Sequence, residues 1–517
     1  MFEPFRPEPY SDFTDPARKS AFERALASVE AGLGGHHRLV IGGEERNTGR
    51  TIASVDPSRP SRVVGTVAAA GVAEAEAALE AAWAAFPSWG SLDAGERARL
   101  GVGLAALMRE RKYELSALLC FEAGKNWLEA EADVCEAIDF CDYYAGQAVR
   151  LAESLPVVPY PGEANESHLI PMGAGVVIPP WNFPLAILAG MTMGPVLAGN
   201  TVVLKPASAT PVIGAVFAGL VHLAGFPPGV VNFVPGSGAE VGDFLVDSPL
   251  TRFVTFTGSR EVGVRIAERS ARVHDGQRWL KRASLEMGGK DAMIVDETAD
   301  LAAATADVIR SAYGFQGQKC SAASRLILVD GIHDEVLERV VAEASALEVG
   351  PAALNFPVGP VITAVQLQSI LAEIGKGKSE AVLACGGDPV EGDGGYFIRP
   401  AVFADVLPQS RLGQHEIFGP VLSVIRARDF DQALAIANDT DYGLTGGLYS
   451  QDRDRMERAR REYQVGNLYI NRKITGALVG VQPFGGFKMS GSNAKAGGPD
   501  YLRLFVEMKS VSERPTV

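Results

Sequence analysis

One cysteine stands in a local pattern that differs from that of the protein's other cysteines. Cys320 lies in GQKCSAASR, residues 317–325, between a helix-like segment and a strand-like segment. A free cysteine usually behaves as a small buried hydrophobe. The other four occupy apolar contexts typical of that role: Cys120, Cys135, Cys141 and Cys385. Cys320 instead stands on a glycine-containing bend, so it could be either core filler or a thiolate nucleophile, and the rest of the sequence must decide between the two.

Further motifs contain groups that could work with such a thiol. LEMGGKD, residues 285–291, puts Glu286 at a strand end before two glycines, which allow a ligand to approach the backbone closely. IPPWNFPLAI, residues 178–187, holds the Asn182 amide in a proline-bracketed turn, while HEIFGPV (415–421) and PFGGFKMSG (483–491) complete the series. Each motif has a simple explanation as loop or core, but their combination with one cysteine indicates a catalytic centre.

Two glycine-containing segments follow predicted strands and are candidate phosphate sites. VVNFVPGSGAEVG spaces its glycines as GxGxxxG, one residue longer than the dinucleotide fingerprint, so a tight turn explains it better than pyrophosphate binding. FTGSREVG, residues 256–263, is the better candidate because Ser259 opens a predicted helix, whose first N–H groups favour an anion. A simple capped helix remains the alternative there.

The elements that must position these groups form two series. Helical spacing is clear over 68–86 and 91–120, where Asp93 is the expected cap of the second segment. From residue 173, short apolar strands alternate with helices, with strands at 175–179, 200–206, 229–236 and 252–258. A second such series follows residue 286. Continuous apolar strands suit parallel sheets covered on both faces, so the sequence predicts two doubly wound α/β domains.

Composition narrows the classes of partner. The chain has 517 residues and a net charge of −14, which argues against nucleic acid and anionic membranes. Five cysteines without a CxxC pair and scattered histidines offer no zinc framework, and we expect no catalytic metal. The free thiols and the lack of a secretory signal favour a reducing compartment, the cytoplasm. The apolar run 183–199 is interrupted by Pro195, so a buried helix is expected there.

Taken together, these motifs resemble the aldehyde dehydrogenase family over residues 38 to 510, nearly the whole chain. RKITGALVGVQPFGGFKMSG, residues 472–491, and the long N-terminal segment are most similar to the members that oxidise L-glutamate γ-semialdehyde to glutamate in proline degradation. The resemblance implies an NAD-dependent oxidoreductase in which Cys320 is the nucleophile. It implies that Glu286 is the base for thioester hydrolysis and that the Asn182 amide stabilises the oxyanion.

The resemblance also implies roles for residues that bind the cofactor and the substrate. The cofactor-binding residues would be Ile178, Trp181, Lys205, Ser208, Ser259, Gly263, Glu416 and Phe418. The substrate-binding residues would be Ser321, Gly476, Ala477, Phe183 and Phe484. One departure concerns Ser208, since many relatives that prefer NAD have a glutamate there. We therefore expect NAD to be preferred and NADP to be tolerated.

The resemblance also predicts how the chain is divided into domains. Residues 1–152 and 172–285 would form the NAD-binding domain, and residues 286–490 the catalytic domain. Segments 153–171 and 491–517 would form a small extended oligomerisation element, a hairpin and tail that pack on another subunit. The protein would then be a homo-oligomer, either a dimer or an assembly of dimers, acting on a small molecule.

The chemistry of the residues agrees with an aldehyde as substrate. Oxidation by hydride transfer requires the planar carbonyl to become tetrahedral, which a thiolate achieves by addition, leaving a thioester after hydride departs. Two alternatives stay open from the residues alone. One is an aldehyde dehydrogenase for a different small aldehyde. The other is a cysteine-dependent hydrolase of esters, which leaves Lys205, Glu416 and the doubly wound domain unexplained.

Overall fold

The computed structural model describes residues 4–153, 155–390 and 394–514. Its helices are α1 (Pro16–Ala31), α2 (Val72–Ser91), α3 (Ala94–Glu110), α4 (Lys112–Glu122), α5 (Trp127–Leu151), α6 (Ala186–Leu197), α7 (Pro211–Leu223), α8 (Asp243–Asp247), α9 (Arg260–Ser270), α10 (Leu301–Tyr313), α11 (His333–Ser345), α12 (Ala364–Gly377), α13 (Arg411–Gln414), α14 (Phe430–Asn438) and α15 (Arg453–Glu462). Helix α5 is the longest of these and packs on both α3 and α6.

The strands of the two large sheets are β2 (Leu39–Ile41), β3 (Glu44–Arg46), β7 (Ala174–Ile178), β8 (Thr201–Leu204), β9 (Val231–Phe233), β10 (Phe253–Thr257), β11 (Arg282–Glu286), β12 (Ala292–Val295), β13 (Arg325–Val329), β14 (Val382–Cys385), β15 (Ala401–Ala404), β16 (Val421–Ala427), β18 (Thr445–Tyr449) and β19 (Asn467–Ile470). Smaller sheets contain β1 (Gly35–His37), β4 (Thr51–Asp56), β5 (Arg59–Ala68), β6 (Ala164–Pro171), β17 (Tyr442–Gly443), β20 (Phe487–Lys488) and β21 (Val506–Glu513).

The first large sheet has the order β11-β10-β7-β8-β9-β2-β3. Strands β7 to β11 are parallel, with Val176 opposite Val203 and Val254, and all four residues of β8 are buried. Burial on both faces explains why these strands read as continuous apolar runs. In such a sheet, ligands bind outside the carboxyl ends of the strands. The Asn182 turn, Lys205 and Ser259 follow the carboxyl ends of β7, β8 and β10.

The second large sheet has the order β14-β15-β16-β13-β12-β18-β19 and is parallel except for β14. Ile294 pairs with Ile327 on one side and Leu448 on the other, and all three are fully buried. Helices α10, α11 and α14 contact these strands. The predicted fold class, two doubly wound α/β sheets, is confirmed.

The segments expected to form a hairpin and tail pair with each other through β6 and β21. Strand β6 pairs antiparallel with β21 over their whole length, from Pro171 opposite Val506 to Ala164 opposite Glu513. The tail before β21 instead packs into the core beside the first sheet, where Tyr501 stacks on Tyr144 and Phe505 contacts Phe253. Tyr501 and Phe505 are therefore part of the core, and the two-stranded element begins after them, at Val506. Within the expected domain ranges, residues 1–3, 154, 391–393 and 515–517 lie outside the described residues.

Helix boundaries are the main correction to the sequence reading. The helix expected over 68–86 begins later, at Val72, because Ala68 ends strand β5. The segment 91–120 forms α3 and α4, which are separated at Arg111. Asp93 caps α3 as predicted, accepting hydrogen bonds from the Gly95 and Glu96 amides. Among the described residues, no helix is both long enough and apolar enough to cross a membrane.

Candidate active site

The nucleophile loop, residues 314–320, connects α10 to the bend before β13. Phe315 and Gln316 adopt left-handed backbone conformations, with φ of 50° and 56°, which only a well-packed loop holds in residues other than glycine. Gln316 Nε2 donates to the carbonyl oxygens of Gly124 (3.1 Å) and Pro360 (2.8 Å). These bonds fix the loop, and Cys320 emerges from it half-buried.

Cys320 lies between two hollow spaces. A groove of about 1190 Å³ runs along the carboxyl ends of the first sheet, and a smaller cavity of about 110 Å³ lies on the other side of the thiol. Cys320 lines both, as do Phe256, Thr257 and Met287. A thiol in this position can contact one molecule in the cavity and another in the groove at the same time.

The surroundings of Cys320 disfavour its thiolate in the free protein. Burial and the nearby carboxyl groups of Asp291, Glu416 and Glu286 raise the pKa of the Cys320 thiol well above its usual range. The thiol is therefore protonated at neutral pH. An attack by this sulfur requires its proton to be removed, or a positive charge to arrive beside it.

Asn182 lines the groove and Glu286 lines the cavity, and Cys320 lines both spaces. Asn182 is buried in the turn before α6, and its Nδ2 donates to the Gln318 carbonyl oxygen at 3.0 Å. Since a side-chain amide has two N–H donors, a second one remains for a ligand. Glu286, the last residue of β11, accepts hydrogen bonds from the Ala494 amide (2.8 Å) and the Gly486 amide (3.1 Å).

The pKa of Glu286 lies close to neutral pH. Burial raises the pKa of Glu286 to about 7, and the two backbone amides and Lys495 oppose that shift. A carboxyl group with such a pKa can both accept and return a proton at physiological pH. Because it also lines the cavity that Cys320 lines, Glu286 is a candidate general base.

Six of the eight predicted cofactor residues line the groove: Ile178, Trp181, Lys205, Ser259, Glu416 and Phe418. Ser208 lies outside the groove wall and is exposed, three residues beyond Lys205. Gly263 is also outside it, since it is buried in α9 against Met287. A Cβ at position 263 would overlap the Met287 side chain. The glycine therefore serves packing in this structure and does not form part of the groove wall.

The groove contains two buried charged groups. Lys205 Nζ donates to the Pro206 carbonyl oxygen at 3.1 Å, and burial lowers the pKa of Lys205 to about 8. Glu416 accepts a hydrogen bond from the Gly289 amide at 3.0 Å, and burial raises the pKa of Glu416 to about 7. Both groups have lost part of their hydration. A ligand with hydroxyl groups would stabilise each of them through hydrogen bonds.

Aromatic rings and a helix terminus complete the groove. Trp181 and Phe418 meet edge to face, with ring centroids 5.5 Å apart, and form an apolar wall. Ser259 caps α9, accepting a hydrogen bond from the Val262 amide at 3.4 Å. The N-terminus of α9 therefore points its amides into the groove, a favourable setting for a phosphate group.

All five predicted substrate residues line the cavity: Ser321, Gly476, Ala477, Phe183 and Phe484. Sequence reasoning missed others, above all Glu136 on α5. Burial and the nearby Asp133 raise the pKa of Glu136 to about 8, so this carboxyl is mostly protonated at neutral pH. A signal existed, because Glu129, Asp133 and Glu136 are spaced along one face of a largely buried helix.

Comparison with known proteins gives a consistent result along the whole chain. Residues 21–511 match the model of the aldehyde dehydrogenase family. A 1-pyrroline-5-carboxylate dehydrogenase of Geobacillus sp. (strain WCH70) is 53% identical over 516 residues, covering 99% of this chain and 100% of that protein. A relative of the same name in Bacillus mycoides (strain KBAB4) is 51% identical with the same coverage.

Solved structures agree with the sequence comparison. The crystal structure of 1-pyrroline-5-carboxylate dehydrogenase from Thermus with bound NAD superimposes with a TM-score of 0.99 at 59% identity, covering 99% of this chain and 100% of that one. A betaine aldehyde dehydrogenase from Staphylococcus aureus reaches a TM-score of 0.89 at 28% identity, covering 95% of this chain and 97% of that one. The chain thus belongs to the aldehyde dehydrogenase family.

Proposed function

We propose that the protein oxidises L-glutamate 5-semialdehyde to L-glutamate with NAD, the second step of proline degradation. The observation that carries this proposal is the position of Cys320 between the groove and the cavity. The names of the relatives and the NAD bound to the Thermus enzyme support it. The membership of this chain in the aldehyde dehydrogenase family supports the type of reaction.

The groove residues fit a dinucleotide. In the part of the chain that the structure describes, no carboxylate lies within ion-pair distance of the buried Lys205 ammonium, which is therefore available to ribose hydroxyl groups. Ser259 and the amides of α9 suit the pyrophosphate, while Glu416 suits the ribose next to the nicotinamide. Bound NAD would supply the hydride acceptor.

The first half of the reaction forms a covalent adduct. The Cys320 sulfur, once deprotonated, adds to the aldehyde carbon and gives a thiohemiacetal, in which the carbonyl oxygen carries negative charge. The free N–H of the Asn182 amide and the backbone N–H of Cys320 stabilise this oxyanion. Loss of one such donor typically costs roughly 3 to 4 kcal/mol of transition-state stabilisation.

The second half releases the acid. After hydride has left the thiohemiacetal carbon, a thioester links the acyl group to Cys320. Glu286 takes a proton from water, the resulting hydroxide adds to the thioester carbon, and the thiolate of Cys320 leaves. The pKa of Glu286, raised to about 7 by burial, suits this role because the same carboxyl can then release the proton.

The cavity suits a substrate with an anionic group remote from the aldehyde. Ser321 supplies a hydroxyl donor beside the nucleophile, and the loop of Gly476 and Ala477 supplies backbone N–H groups. Phe183 and Phe484 also line the cavity, and their rings could pack against the aliphatic chain of the substrate. A carboxylate at one end and an aldehyde at the other therefore match this cavity.

We also propose that the protein is a homo-oligomer, a dimer or an assembly of dimers, and that it works in the cytoplasm. A two-stranded sheet is marginal on its own, and β6 and β21 leave large apolar side chains exposed, among them Ile170, Met508 and Val511. A second subunit would cover them. The cytoplasmic location is supported by the five cysteines, all of which are free thiols.

The test is the formation of NADH by the purified protein with glutamate semialdehyde, compared with propanal and with a simple ester. We expect efficient NADH formation with glutamate semialdehyde, less with propanal, and none when Cys320 is changed to alanine. Efficient oxidation of propanal alone would indicate a different aldehyde substrate. Rapid ester hydrolysis without any aldehyde oxidation would indicate the hydrolase instead.

A further inference from the structure

A fully buried lysine lies next to the active site without lining the groove or the cavity. Lys125 occupies the loop between α4 and α5, and its Nζ is 3.0 Å from Asp133 Oδ2, with neither side chain exposed. Burial lowers the pKa of Lys125 and raises that of Asp133, while their mutual attraction opposes both shifts. Buried ion pairs stabilise a fold poorly compared with apolar packing, so stability alone does not explain this one.

The ammonium group of Lys125 lies between two phenylalanine rings. Its Nζ is 3.9 Å from the centroid of the Phe183 ring and 4.5 Å from that of Phe315. A cation over an aromatic face is attracted by the ring quadrupole, most strongly where water is excluded. The same ammonium group of Lys125 therefore attracts both rings.

The two rings belong to the two segments that carry the reacting groups. Phe183 follows Asn182 directly and lines the cavity, whereas Phe315 is part of the nucleophile loop and is held in a left-handed conformation. The partner of Lys125 strengthens the connection, because Asp133 Oδ1 accepts a hydrogen bond from the amide of Ala186, the first residue of α6, at 2.6 Å.

The backbone of the lysine loop contacts the nucleophile loop as well. The carbonyl oxygen of Gly124 accepts the hydrogen bond from Gln316 Nε2. The Asn182–Phe183 turn and the nucleophile loop share one direct polar contact, the hydrogen bond from Asn182 Nδ2 to the Gln318 carbonyl oxygen. Lys125 thus adds a second connection between that turn and that loop, through its contacts with the Phe183 and Phe315 rings.

We propose that Lys125 is a positioning residue that fixes the Asn182–Phe183 turn against the nucleophile loop through the two phenylalanine rings. Its contacts set where the Asn182 amide lies relative to the Cys320 sulfur. This inference rests on the proposed dehydrogenase function. Because Lys125 does not reach the groove, its loss affects the chemical step and leaves NAD binding unchanged.

The test uses the double variant Lys125→Met/Asp133→Asn, which removes the cation without leaving an unpaired buried charge and keeps an acceptor for the Ala186 amide. We expect the rate constant of the NADH burst to fall about tenfold, with KM for NAD unchanged, since small misplacements of reacting groups are costly. We also expect iodoacetamide to alkylate Cys320 about threefold faster, because a loosened loop exposes the thiol.

The matched control is Glu122→Gln. Glu122 is a buried carboxyl three residues from Lys125 that accepts hydrogen bonds from the Val212 and Ile213 amides. Its replacement perturbs a nearby buried polar group without removing the cation between the rings. We expect Glu122→Gln to lower thermal stability with neither the slower burst nor the faster alkylation. If it reproduced both effects, a general loss of stability would explain them and the proposal would fail.

A double-mutant cycle tests whether Lys125 acts through the Phe183 ring. In a Phe183→Leu background, the loss caused by the lysine variant should shrink from about tenfold to about threefold or less. An undiminished loss in that background, or a wild-type burst and alkylation rate in a folded variant, overturns the proposal. If the double variant Lys125→Met/Asp133→Asn does not fold, Phe315→Leu can be used instead. It removes the second ring and should give the same slower burst and faster alkylation.

The alkylation rate needs no substrate, so it separates this inference from the proposed function. If the wild-type protein makes no NADH from glutamate semialdehyde, the proposed function fails. Faster alkylation of the Lys125 variant then still supports the positioning of the loop, whereas an unchanged rate overturns it.

Discussion

At the scale of single residues, the proposed mechanism assigns Cys320 and Glu286 to successive steps, and their replacement should separate these steps. We expect Cys320→Ala to abolish hydride transfer, because no thiohemiacetal can form. Glu286→Gln should give a burst of NADH equal to the number of active sites, followed by slow turnover, because the base is needed only after hydride has left. Stopped-flow measurement of NADH distinguishes the two variants. A Glu286→Gln protein without a burst would mean that the glutamate acts before hydride transfer.

The raised pKa of Glu286 predicts the pH dependence of turnover. Burial raises this pKa to about 7, so the carboxyl is mostly protonated below about pH 7 and cannot take a proton from water. Where hydrolysis of the thioester limits turnover, the steady-state rate should rise roughly tenfold per pH unit below about 7 and level off above it. The residual turnover of Glu286→Gln should lack this inflection. A wild-type rate that falls as the pH rises through 7 contradicts the assignment.

The expected tolerance of NADP depends on the proposed position of Ser208 near the 2′-phosphate of that cofactor. The side chain is exposed just outside the groove wall, three residues beyond Lys205, so an acidic group there would repel the 2′-phosphate without contacting the rest of the dinucleotide. Ser208→Glu should therefore lower kcat/KM with NADP by about tenfold, while the value with NAD changes by less than about twofold. Equal losses with both cofactors would show that Ser208 is not next to this phosphate.

Single residues were predictable where a motif fixed their surroundings. Cys320, Glu286 and Asn182 each stand beside glycines or prolines that set the local backbone, and all three lie around the groove and the cavity. Glu136 was missed because its position in the cavity depends on how α5 packs, which local sequence does not specify. Gly263 follows the capped start of α9, but the helix turns it inward against Met287.

At the scale of elements, parallel strands were easier to predict than helix ends. Strands buried on both faces appear as unbroken apolar runs, and those from β7 to β10 were located to within a few residues. The break at Arg111 between α3 and α4 was not foreseen, because the helical spacing continues across it. The left-handed Phe315 and Gln316 were also unforeseen, since tertiary contacts hold conformations that these residue types rarely adopt.

The two-stranded sheet of β6 and β21 gives a prediction about assembly. Met508 is 62% exposed on β21 and Ile170 is 40% exposed on β6. Changing both to lysine should disrupt the proposed subunit contact and lower the mass measured by sedimentation, because a charged group is costly to bury in an interface. The control Val365→Lys changes an exposed residue on α12 and should leave the mass unchanged. A double variant with the wild-type mass would exclude this sheet as the contact.

At the scale of the whole molecule, the site exists only because several distant segments converge. The groove is formed at the carboxyl ends of the first sheet, while the second sheet's connections supply the nucleophile loop and Glu416. The resemblance to a family predicted which residues would meet, but spacing along the chain could not give the two hollow spaces or the position of Cys320 between them. That arrangement links hydride transfer to an aldehyde held in the cavity.

The central claim is that the cavity beside Cys320 recognises an aldehyde with a remote carboxylate. The most direct test compares kcat/KM for glutamate semialdehyde and for propanal, with NAD, in the wild type and in Ser321→Ala. A hydrogen bond to a charged group contributes roughly 1.5 to 3 kcal/mol, so the variant should lose about tenfold to a hundredfold with glutamate semialdehyde and far less with propanal. Equal losses with both aldehydes would mean that Ser321 supports the nucleophile alone, and would contradict the claim.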